Sequence, residues 1–211
     1  MRTKVALLSG ALATPAFVTG FTALGRRRAA YDALRQPISE LARGPQGWMQ
    51  SLNFVTSGVL FLTGAAGIRD AELQEAPSRR SAVRAVVVVG AGLIGAGLFP
   101  TDTLDEVRDR GLSRRGIAHA VCSTPAFLAM PIAARSFAAR NTDSAASTAY
   151  RLAGRITALS AVLMCLAFPL DNAISRQAGA IQRMTVVSGL GTISAFCMQL
   201  LTRNASHANA R

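Results

Sequence analysis

A carboxylate follows a Phe-Pro pair twice in this chain, in Phe99-Pro100-Thr101-Asp102 and in Phe168-Pro169-Leu170-Asp171, and an imidazole, His119, stands between the two motifs. A third carboxylate, Glu40, lies beside a hydroxyl in Pro37-Ile38-Ser39-Glu40-Leu41. Carboxylates with one histidine can hold a cation or an amine, carry a proton, or act as general acid and base. The two Phe-Pro-x-Asp motifs are offset by 69 residues, and the same offset sets Gly47 against Gly116 and Gln50 against His119. That pattern reads as duplication of a helical hairpin, and paired short spans in corresponding halves are a pointer to a binding site. The plainer reading is helix termination: proline disfavours helical backbone in the residue before it, and Asp bonds its neighbouring backbone. His119 has a plain reading too, as a histidine that fixes helix packing through a hydrogen bond.

These residues must be positioned by apolar elements. Six apolar runs lie near residues 5–24, 51–68, 85–100, 116–134, 156–170 and 184–202, and a helical span needs about 20 such residues. Val5–Leu24, Ser51–Ile68, Gly116–Ala134 and Met184–Thr202 hold no Asp, Glu, Lys or Arg. The third and fifth runs are shorter, but Arg84, Arg151 and Arg155 precede them, and their stems can lie in hydrocarbon while the guanidinium reaches the interface. The expected fold is an all-α polytopic bundle of six transmembrane helices over residues 1–202, with a polar, unstructured tail at 203–211. Read as a secretory signal, the first run would be cut inside its own apolar stretch, at Ala11-Leu12-Ala13, so an uncleaved helix is expected.

Six spans place the first, third and fifth loops on one face, and with them Glu40, Asp102, Asp171 and the start of the span that carries His119. Pro37 suits a first helical turn and Gly44-Pro45 a stop, so a short interfacial helix is expected in the first loop, with Trp48 at the headgroup boundary. Basic residues divide twelve to eleven between the two faces, so the positive-inside rule does not orient the chain. The net charge of +12 flanks apolar spans, which points to anionic lipid headgroups as partners and away from nucleic acid. Cys122, Cys165 and Cys197 lie within apolar runs and show no CxxC spacing, so they read as small buried hydrophobes. The other histidine, His207, is in the tail, so no metal site is expected, and no Walker loop, GxSxG or HExxH announces a cofactor or a familiar mechanism.

Tyr31-Asp32, the stretch Pro37-Ile38-Ser39-Glu40-Leu41, Gly44-Pro45-Gln46-Gly47-Trp48, Asn53-Phe54, Gly97-Leu98-Phe99-Pro100-Thr101-Asp102 and His119 together resemble the membrane family catalogued as domain of unknown function 998. The resemblance implies a six-helix bacterial integral membrane protein with both termini cytoplasmic. It carries no established activity, and its motif falls on Ser39, Glu40, Asp102 and His119, to which the internal repeat adds Asp171. From these the sequence leads to a polar pocket on one membrane face that binds a lipid headgroup or small amphiphile. Two other readings stay open: an intramembrane hydrolase or transferase using His119 with Asp102, and an accessory subunit in which the polar residues are structural.

Overall fold

Hydrocarbon offers no partner to peptide groups, so an apolar run crosses it as a helix, whose backbone bonds close within the segment. The computed structural model describes residues 2–72, 78–141, 143–167 and 175–209. Among these residues there are seven α-helices and no strand: α1 (Arg2–Arg27), α2 (Gly47–Glu72), α3 (Ser78–Leu98), the short α4 (Leu104–Arg110), α5 (Arg114–Ala138), α6 (Ser144–Ala167) and α7 (Ala178–Asn209). Among the described residues five stretches are long and apolar enough to cross a membrane: Arg2–Arg27, Gly47–Ala71, Arg80–Leu98, Arg114–Ala138 and Ser175–Arg203. The sixth long helix, α6, has Arg151 and Arg155 in its first half, and its apolar run leaves the described residues after Ala167. The polar residues that follow Thr202 extend α7 to Asn209, where an unstructured tail was expected.

The long helices close a ring in the order α1, α2, α3, α5, α6, α7 and back to α1, with α7 also touching α5 and α2. Shifting the chain by 69 residues carries α2 onto α5 and α3 onto α6, so the repeat seen in the sequence is a repeat of one hairpin. Phe17, Phe61, Phe137, Phe196 and Met130 fill the interior. The outside is apolar as well, with Val121 67%, Leu159 63% and Leu128 61% exposed. An apolar band of that kind is foreign to a soluble protein and costs nothing in hydrocarbon. Hydroxyls are placed the other way round, inside: Thr14 meets Ser194 across α1 and α7 at 2.8 Å, and Thr157 meets Ser188 and Ser160 meets Thr185 across α6 and α7, each at 2.8 Å. Such bonds average about 0.6 kcal/mol in membrane helices, so they set the register between neighbours more than they drive association. The protein is a helical, multi-pass membrane protein.

Close backbone approach brings the helices into this ring. A Cβ on Gly64 would fall 2.7 Å from the Gly10 Cα, and one on Gly58 would fall 2.6 Å from the Gly90 carbonyl. Glycine is therefore required where α2 crosses α1 and α3. The short helix expected in the first loop is a single 3-10 turn, Ile38–Ala42, and all five of its residues are buried against α1, α2 and α7. Its place is the end of the bundle where α2, α5 and α7 begin. Trp48, just beyond it, is 60% exposed.

Candidate functional site

The turn is held by two cations. Arg183, in the second turn of α7, donates through Nη1 to the carbonyls of Ala33 at 2.6 Å, Gln36 at 3.1 Å and Gly179 at 2.9 Å, and through Nη2 to the Tyr31 hydroxyl at 2.7 Å. Its guanidinium also lies over the rings of Phe21 and Tyr31, at 5.7 and 5.6 Å from their centroids. The Tyr31 hydroxyl in turn sits 3.1 Å from the carbonyls of Gln36 and Pro37; burial pushes it above the ordinary phenol range, against the pull of Arg183. Arg28, just past α1, donates to the carbonyls of Glu40 at 2.7 Å and Arg43 at 3.3 Å. The Gln182 side-chain oxygen accepts from the Ile38 N–H. The backbone of Arg35 and Leu34 serves α7 in return, accepting from the N–H groups of Gly179 and Ala180 that a helix start leaves without an internal partner.

The third loop closes over this assembly. Thr103 and Glu106 form a capping box at the start of α4. Glu106 then reaches Arg43 at 2.8 Å, and Asp105 reaches Arg35 at 3.0 Å. The Thr103 backbone N–H and the Arg43 guanidinium hold the Glu106 carboxyl below its ordinary range. Glu40 is 3% exposed and bridges the two loops: one oxygen accepts from the Leu104 N–H at 2.9 Å and the other from the Gln36 amide at 3.1 Å. Desolvation raises the pKa of Glu40 in spite of these bonds. It is a structural strut between loops, with both oxygens engaged.

Asp102 is likewise committed. Its oxygens accept from the Ser113 N–H at 2.7 Å and the Ser113 hydroxyl at 2.8 Å, and Ser113 caps α5 by accepting from the Gly116 N–H. A Cβ at Gly116 would collide with this carboxylate, which explains glycine there. A carboxylate at a helix N-terminus is favoured by the exposed N–H groups and the helix dipole. The Phe-Pro-Thr-Asp motif thus ends α3 and starts α5.

His119 follows in the second turn of α5. Its Nδ1 lies 2.7 Å from the Phe99 carbonyl. A carbonyl only accepts, so Nδ1 carries the proton and Nε2 keeps a lone pair in the neutral ring. The orienting group of His119 is therefore a backbone oxygen, and Asp102 spends its bonds on Ser113. His119 lines a cavity of about 30 Å³ with Ser39, Ser123 and Gln182 as the other polar residues, among apolar walls that include Phe17 and Phe127. A water needs roughly 10–15 Å³, so two or three fit.

Of the residues expected from the sequence, Ser39 and His119 meet at the cavity, while Glu40 and Asp102 stand at the same end of the bundle with their oxygens bonded elsewhere. Asp171 and the rest of the second Phe-Pro-x-Asp motif lie outside the described residues. Among the described residues no cluster of His, Cys, Asp and Glu could hold a metal ion. Sequence reasoning misses Gln182 and Arg183, because the last apolar run begins at Met184 and leaves the pair in the loop before it. The signal was present: two polar residues directly before an apolar run stand inside the helix if it starts one turn earlier. The family model described as "Protein of unknown function (DUF998)" matches residues 11–199, so the chain belongs to that family. No curated protein and no solved structure matches it.

Proposed function

We propose that this member of the DUF998 family crosses the bacterial cell membrane six times, with both termini in the cytoplasm, and binds a lipid headgroup or small amphiphile in the cavity beneath the Ile38–Ala42 turn. The sixth crossing is supported by geometry. α5 ends where Ser147 bonds the Ala138 carbonyl, whereas α7 begins against the first loop at the other end of the bundle, so α6 has to carry the chain back. The binding reading rests on one observation: Ser39, His119, Ser123 and Gln182 converge on a cavity whose remaining walls are apolar. A few placed polar groups on apolar walls suit an amphiphile, which needs its head fixed and its tail kept dry. At about 30 Å³ the cavity holds water and no headgroup. Ligand therefore enters as the turn lifts, and His119 Nε2 and the Gln182 amide become its polar contacts. Glu40 and Asp102 act at one remove, by holding the turn and the start of α5.

The test is mass spectrometry of lipid extracted from protein purified in mild detergent. A specific amphiphile is expected with the wild type and is expected to fall several-fold in His119→Ala and Gln182→Leu. Asp102→Asn is expected to lose stability before it loses ligand. Equal lipid profiles in the wild type and in folded His119→Ala and Gln182→Leu would sink the reading.

A further inference from the structure

At the end of the bundle away from that cavity, five arginines stand on three neighbouring helices. Arg80 and Arg84 are on α3, Arg135 on α5, and Arg151 and Arg155 on α6, all exposed. Contacts between the helices fix their relative height. The Ser81 and Ser136 hydroxyls lie 3.2 Å apart, which sets Arg80 and Arg84 beside Arg135. On the other side Ser147 bonds the Ala138 carbonyl at 2.9 Å, and a Cβ on Gly154 would touch the Ala134 methyl at 3.0 Å, so Arg151 stands level with Arg135. Arg84 and Arg155 lie one helical turn, about 5.4 Å, further toward the bilayer centre. Among the described residues no carboxylate pairs with any of the five. Among the acids at this end whose side chains are described, Asp70 pairs with Arg69 at 3.0 Å and Asp143 accepts from the Ala145 N–H at 2.9 Å.

Immediately below the arginines the outward surface is apolar, with Val88, Ile132 and Leu159 exposed on the same three helices. Charge above and hydrocarbon below is the profile of one kind of molecule. We propose that the outer face of α3, α5 and α6 binds an anionic phospholipid, its phosphate held between Arg135 and the deeper pair Arg84 and Arg155, and its acyl chains lying along α5. Guanidinium suits this role because its planar fork binds phosphate oxygens in pairs. The depth of Arg84 and Arg155 favours a lipid, since their stems lie along apolar surface and their heads reach up to the headgroup plane. The site is independent of the cavity and of any ligand there.

The experiment is native mass spectrometry of the full chain released from micelles holding equal amounts of phosphatidylglycerol and phosphatidylcholine. Wild type is expected to retain phosphatidylglycerol in preference. Each arginine near the surface contributes roughly fivefold, so Arg84→Gln with Arg155→Gln should lower that preference about 25-fold. Arg26→Gln with Arg27→Gln, at the other end, should leave it unchanged. Should the first double variant fail to fold, the wild type itself decides: about 0.5 M salt screens a phosphate–arginine contact at the surface, so the preference should collapse. No preference in the wild type, a preference that survives salt, or one that survives in folded Arg84→Gln/Arg155→Gln would overturn the proposal.

Discussion

Removing the Arg183 guanidinium should free the first loop while leaving the helices in place. Nη1 has two protons and reaches the first-loop carbonyls of Ala33 and Gln36 as well as Gly179 of its own helix, so it makes up to two bonds to the loop, and Nη2 adds one to Tyr31. At about 1 kcal/mol net each, these three bonds are worth about 3 kcal/mol. Contact with the Tyr31 ring adds about 0.5 kcal/mol at a partly exposed site, while the Phe21 ring belongs to α1 and stays in place when the loop opens. Carbonyls at the rim recover some of the loss from water, which leaves about 3 kcal/mol, on the order of 100-fold in the opening equilibrium of the turn. The assay is thiol labelling of Ser39→Cys in a background lacking Cys122, Cys165 and Cys197. Ser39 is 2% exposed, so a reagent reaches it only when the turn opens. Arg183→Ala should accelerate labelling by that factor at unchanged helix content. Arg183→Lys should fall between, because an ammonium keeps the charge but cannot span Tyr31 and the carbonyls at once. A rise below about threefold in Arg183→Ala, well under the expected 100-fold, would refute the assignment of Arg183 as the clamp.

The same labelled protein tests Glu40. Burial holds its carboxyl above the ordinary range, so the docked turn prefers the protonated acid; docking is fullest below the ordinary glutamate range and weakens as pH rises through the raised value. Asp105 opposes ionisation and Arg28 favours it, without reversing the sign. The labelling ratio of the parent to Glu40→Gln, taken at each pH so that thiol ionisation cancels, should therefore climb with pH; a flat ratio contradicts this. Glu106 has the opposite sign: its lowered carboxyl means that the Arg43 link is present above the ordinary range and is lost as pH falls through the lowered value. Asp102→Asn and Ser113→Ala should each cost about 1–2 kcal/mol as loss of an N-cap network, and the double variant should cost little more than one of them; additive losses in denaturant titrations would separate the two residues. Gly64→Ala should lower thermal stability in detergent by about 1–3 kcal/mol, since its Cβ meets the Gly10 backbone, whereas Gly191→Ala, with nothing within 4 Å, should be neutral or stabilising. Equal effects at the two glycines would refute the close-approach account.

Hydropathy alone determined that this is a helical membrane protein and where its long helices run, because the cost of placing peptide groups and charges in hydrocarbon dominates every local preference. The 69-residue offset gave the hairpin repeat, since α2 and α5 each start with the same pairing of a glycine and a buried polar residue, Gly47 with Gln50 and Gly116 with His119. The sequence also brought Ser39, Glu40, Asp102 and His119 to one end of the bundle. It did not distribute their roles. Asp102 turned out to hold Ser113, the cap of α5, Glu40 to bridge two loops, and His119 to lean on the Phe99 carbonyl, because each polar group entering a dry interior takes the nearest partner, and the nearest partner depends on which helices are neighbours. The ring order, and with it the reach of Arg183 from the last helix to the first loop across 150 residues, is set by shape-dependent packing at glycines such as Gly10 and Gly64. A linear apolar pattern is blind to that order: every outward or inward helix face is equally greasy, and only tertiary contact distinguishes the one that meets lipid from the one that meets protein.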